Sequence, residues 1–149
     1  MKSDTEINVL RNFLNACPEF SGKLTDIKSC VSNEPDCLCE FSNGTKIYFE
    51  LSEIVDQKMA QKFNDPKLAF NGGFFTDDIL IDRVTDKLSK FYETKGLDVE
   101  LLLYFDLQPP WPEATMADQV EDVLNDKGKG LFKKVWLFSV PRGRVIGSF

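Results

Sequence analysis

Two alternating runs joined by three turn-forming residues constrain this chain more than any other stretch. They read Asp36-Cys37-Leu38-Cys39-Glu40-Phe41, then Ser42-Asn43-Gly44, then Thr45-Lys46-Ile47-Tyr48-Phe49-Glu50-Leu51-Ser52. Strand side chains alternate faces, so Cys37, Cys39 and Phe41 share a side, as do Ile47, Phe49 and Leu51. A two-residue Asn-Gly turn sets Cys37 against Glu50 and mixes the faces. A three-residue loop sets Cys37 against Phe49 and Cys39 against Ile47, with Gly44 in the left-handed position. A coherent apolar face selects the second register. Asp36 then falls opposite Glu50, with Cβ atoms about 5 Å apart. Two carboxylates at that range repel, and a hard divalent cation between them removes the conflict. The plain alternative is a solvated outer face carrying Glu40, Lys46 and Tyr48.

The chain has 149 residues, enough for one domain spanning 1–149 with a real core, and its thirteen Phe supply bulk for it. It contains no His, which removes Ser-His and Cys-His catalysis and leaves carboxylate, lysine and metal chemistry. Cys17, Cys30, Cys37 and Cys39 read as buried thiols, and Cys-x-Cys is poor zinc spacing. The first residues are polar and no run is long enough to span a bilayer, so a cytoplasmic protein without a leader or membrane segment is expected. The net charge of −6 opposes a tight grip on a nucleic-acid backbone and suits a basic partner. The basic spots at Lys127, Lys129, Lys133, Lys134, Arg142 and Arg144 read as turn and strand-end charge.

Ser3-x-x-Glu6 is a capping box, and Ile7, Leu10, Leu14 and Cys17 follow at helical spacing, which predicts a helix from about Asp4 to Cys17. A strand over Leu24–Val31 precedes the hairpin. Glu53–Phe63 reads as a helix, and Phe70–Phe75 as an aromatic loop. A helix starting near Asp77 turns Leu80, Val84, Leu88 and Phe91 inward and stops at Gly96. Glu100–Phe105 is a continuous apolar run, so a central strand covered on both faces is expected. Thr115 caps a helix through about Asn125, and strands follow at Val135–Val140 and Val145–Phe149. The order αβββααβαββ implies an α/β protein, one mixed central sheet with helices on both faces.

That order, with Pro35-Asp36 opening one arm and Phe49-Glu50-Leu51-Ser52-Glu53 on the other, resembles the PD-(D/E)xK restriction-endonuclease-like superfamily, in particular its small stand-alone members. Leu101–Asp106 before a Pro-rich loop, and Val135-Trp136-Leu137-Phe138 before a basic turn, extend the resemblance over most of the chain. It implies a three-layer restriction-endonuclease-like fold. It also implies Asp36 and Glu50 as ligands of Mg²⁺ (or Mn²⁺) that activates water at a scissile phosphate, with Glu6 of the first helix joining them. Glu6 is better explained as the capping-box partner of Ser3. Ser52 stands where active members carry the motif lysine, so Lys58 becomes the candidate migrated ammonium and Gln57 a candidate to position water. The implied function is a Mg²⁺-dependent nuclease acting on DNA or RNA, monomeric or homodimeric. The alternative is an inactive member of the same fold that binds a basic protein partner, as an immunity or antitoxin protein does, with Phe74, Phe75 and Trp111 as anchors.

Overall fold

The computed structural model describes residues 4–54, 77–106 and 112–149. Its elements are α1 (Asp4–Ala16), β1 (Leu24–Ser29), β2 (Cys37–Phe41), β3 (Lys46–Glu53), α2 (Asp77–Leu88), β4 (Asp98–Phe105), α3 (Glu113–Lys127), β5 (Lys134–Ser139) and β6 (Arg144–Ser148). The six strands form one mixed sheet in sequence order. The pairs β1–β2, β2–β3 and β5–β6 are antiparallel, while β3–β4 and β4–β5 are parallel. Antiparallel neighbours need only a turn. Each parallel pair needs a crossover, and α2 and α3 lie in the two crossovers.

Period-two alternation in the strands produces two cores, one on each face of the sheet. On one face Cys37, Cys39, Phe41, Phe49, Leu51, Leu102 and Trp136 pack against Leu10, Phe13 and Leu14 of α1. On the other, Tyr48, Leu101, Leu103, Val135 and Leu137 pack against Leu80 and Val84 of α2 and Met116, Val120 and Val123 of α3. Helices therefore cover both faces. All residues of β4 after Asp98 are buried, as its unbroken apolar run requires.

Several expectations change in detail. Strand β1 ends at Ser29, and α3 starts at Glu113 with Pro112 at the N-cap, so Thr115 lies inside the helix and does not cap it. Helix α2 ends at Leu88, where Ser89 N–H bonds Thr85 O and Lys90 N–H tightens to Lys87 O. Helical spacing therefore no longer governs Phe91, which is 95% exposed instead of facing inward. Gly96, with φ of 78°, serves the turn into β4 and not the helix end. Strand β3 continues through Glu53, so this residue closes a strand. The capping residue Ser3, the rest of the helix expected after Glu53 and the aromatic loop 70–75 lie outside the described residues.

Candidate functional site

The hairpin folds in the register that its apolar face demands. Cys37 pairs with Phe49 and Cys39 with Ile47. Phe41 N–H bonds Thr45 O at 2.9 Å, and Gly44 takes φ of 84°. The β2–β3 ladder stops at the Cys37–Phe49 pair, and side chains continue it. Asp36 N–H donates to Glu50 Oε1 at 2.9 Å, and Leu51 N–H donates to Asp36 Oδ2 at 2.8 Å. Each carboxylate thus accepts from the backbone of the opposing arm, a reciprocal clamp that holds the two acids together at the hairpin mouth.

The far side of this hairpin is solvated only toward the turn, where Lys46 is exposed and Glu40 half-buried. Tyr48 is fully buried and Glu50 is 3% exposed, because α2 and α3 cover that face. A buried carboxylate needs a counter-charge. Lys87, in the last turn of α2, donates to Glu50 Oε2 at 2.8 Å, and Tyr92 Oη–H donates to the same oxygen at 2.5 Å. Burial alone would raise the Glu50 pKa. The hydrogen bonds from Asp36, Lys87 and Tyr92 outweigh it and hold the carboxyl below its ordinary value. Burial, then the hydrogen bond to this carboxylate, pushes the Tyr92 phenol up, so Tyr92 stays a donor.

A cavity of about 230 Å³ opens beside this pair at the C-terminal ends of β3 and β4. Glu6 of α1, Ser52 and Glu53 of β3, Tyr104 of β4, and Arg83 and Lys87 of α2 line it. In open α/β sheets this end of parallel strands is where ligands bind. Ser52 is 4% exposed, and its Oγ is buried without a hydrogen-bond partner among the described residues. Burial, reinforced by Glu53 and Glu6, raises the Tyr104 phenol.

The structure thus brings Asp36, Glu50 and Ser52 to one end of the sheet, with Glu6 on the wall of the same cavity. Lys58 and Gln57 lie outside the described residues, as do Phe74, Phe75 and Trp111. Sequence reasoning missed Lys87, Tyr92 and Arg83. A signal existed for two of them. Lys87 falls three residues after Val84 and seven after Leu80, and Arg83 three after Leu80, so both lie on or beside the inward stripe of α2.

Among the described residues no three His, Cys, Asp or Glu side chains form a metal-holding group, so Glu6 is not gathered with Asp36 and Glu50 into one ligand set. Two carboxylates still suit Mg²⁺, which keeps several waters and commonly takes only one or two protein carboxylates. Glu50 Oε1 accepts one bond in the clamp and retains a lone pair, whereas Oε2 is filled by Lys87 and Tyr92. By donor chemistry alone, a hydrated Mg²⁺ would be held jointly by the Asp36 and Glu50 carboxylates. Comparison with protein-family models, with curated proteins and with solved structures gives no match.

Proposed function

We propose that this chain is a restriction-endonuclease-like, Mg²⁺-dependent phosphodiesterase acting on DNA or RNA, with Asp36, Glu50 and Lys87 at its centre. The observation that carries the reading is the Lys87 ammonium 2.8 Å from Glu50. The sequence lacks a lysine at Ser52, and α2 supplies a positive charge to the same carboxylate from another element. The order of a helix, an antiparallel three-strand unit and a parallel fourth strand supports the fold that the resemblance implies.

Asp36 and Glu50 would hold Mg²⁺ or Mn²⁺, which supplies Lewis-acid polarisation of a phosphoryl oxygen and an activated water. The other roles belong to the chain itself. Lys87, oriented by Glu50, presents fixed positive charge to the cavity where charge develops on a phosphorane. Arg83 adds a second cation to the same wall. Tyr92 fixes the Glu50 rotamer, and Ser52 offers a buried hydroxyl to a phosphate oxygen or a water.

Incubating the protein with supercoiled plasmid, single-stranded DNA and RNA in millimolar Mg²⁺ or Mn²⁺ tests the reading. At least one substrate is cleaved, and Asp36→Asn, folded by circular dichroism, loses about 100-fold or more of the rate. Failure to cleave any of the three with either metal, or full activity in Asp36→Asn, rejects it. One observation favours a second reading, the inactive protein-binding module. Both Glu50 oxygens already accept protein donors, as in a purely structural buried network. That reading requires no cleavage, and affinity for a basic protein partner unaffected by Asp36→Asn.

A further inference from the structure

At the opposite end of the sheet, where the parallel strands begin, lies a second cavity of about 330 Å³, within the size range of small-molecule pockets. The turn after α1, the β2–β3 turn and the first residues of β4 and β5 enclose it. Its aromatic wall is Phe20 stacked on Phe41, ring centroids 5.2 Å apart and 25° between planes. Polar and charged side chains share the lining with these rings, and among them β4 places Glu100, only 5% exposed. Its one hydrogen-bond donor among the described residues is the Trp136 indole, Nε1 to Oε1 at 2.6 Å.

A carboxylate so buried normally carries an ionic partner. Three lysines line the cavity, Lys133 paired with Asp98 at 3.0 Å, Lys134 with Glu19 at 3.2 Å, and Lys23, and none of them hydrogen-bonds Glu100 among the described residues. Burial leaves the Glu100 carboxyl raised above its ordinary range, with the indole hydrogen bond opposing the shift only in part. The aromatic surroundings already accommodate one ammonium, since Lys134 Nζ lies 4.8 Å from the Trp136 ring centre. A single carboxylate on an aromatic wall is a poor cage for a divalent metal, which wants several oxygens. It is a good seat for a small organic cation, whose ammonium pairs with the acid while its apolar body covers the rings.

We propose that this cavity is a binding site for a small primary amine with an apolar body, which places its ammonium on Glu100 and its hydrocarbon against Phe20 and Phe41. The site does not depend on the phosphodiesterase reading and uses none of its residues. The test uses Trp136 fluorescence in a Trp111→Phe background, since the chain has two Trp. The probes are 2-phenylethylamine and its neutral counterpart 2-phenylethanol. The amine gives a saturable change, the alcohol binds at least about tenfold more weakly, and Glu100→Gln, which keeps an acceptor for Trp136, weakens amine binding at least about tenfold. Any of three results overturns the proposal: no saturable change with the amine, equal binding of the alcohol, or equal binding by Glu100→Gln.

Discussion

Replacing Lys87 by Met removes the one full positive charge that touches Glu50 among the described residues and leaves the carboxylate buried with a phenol and a backbone amide. Breaking a buried pair from one side costs about 3–5 kcal/mol, because the remaining charge stays desolvated. The two surviving donors place the loss near the lower end, about 3 kcal/mol at pH 7.5, or roughly 10 °C in Tm for a chain of this size. The pH dependence separates this cause from lost packing. In the wild type the folded-state pKa of Glu50 is depressed, so its stabilisation is present above the unfolded value of about 4.3 and is lost as pH falls through the folded value. In Lys87→Met burial dominates and the folded pKa rises above the unfolded one. The penalty is then full at neutral pH and shrinks as Glu50 takes up a proton toward pH 5. Urea denaturation at pH 7.5 and pH 5 measures both. A double-mutant cycle with Glu50→Gln adds a coupling energy of about 2 kcal/mol at pH 7.5. A Lys87→Met loss below about 1 kcal/mol, or one equal at both pH values, refutes the counter-charge argument.

Three further outcomes are expected. Phe13→Ala empties a fully buried site where the ring meets Phe20, Phe49, Trp136 and Phe138, and costs about 3–5 kcal/mol in chemical denaturation. All four cysteines are buried and outside any disulfide, and burial pushes Cys30 up to about 11 and Cys39 higher still. Ellman's reagent therefore titrates no thiol rapidly in the folded protein and all four after denaturation. Gly44→Ala forces a Cβ into a turn with φ of 84° and costs about 1–2 kcal/mol, read as a lower urea midpoint with unchanged slope.

What the sequence disclosed follows from the range of the forces involved. The hairpin register was legible because period-two burial and a three-residue turn are local, and both point to the same pairing. The buried runs at β4 and β5 were legible because a strand covered on both faces leaves no alternation to read. The inward stripe of α2 was readable at Leu80 and Val84, and the helix end that turned Phe91 outward was not. Boundaries rest on competing hydrogen bonds within one or two residues. The alternative of a solvated face at Glu40, Lys46 and Tyr48 fails at Tyr48, whose cover comes from helices far along the chain.

Glu50 shows why a site can be half legible. Its meeting with Asp36 is set within one hairpin, across 14 residues, by side chains that continue the ladder. Its cation arrives across 37 residues and its phenol across 42, and both depend on the docking of α2 against the opposite face. From the sequence, a negative pair in need of a cation is as far as local pattern can go, and a bound metal ion is the simplest solution to write down. The fold supplies a lysine to one oxygen of Glu50, while Asp36 accepts the Leu51 amide. The hairpin acids and α2 therefore form one electrostatic unit. Any loosening of α2, for instance by truncating Leu80 or Val84 in its buried stripe, removes the counter-charge of Glu50 and the order of the hairpin mouth together.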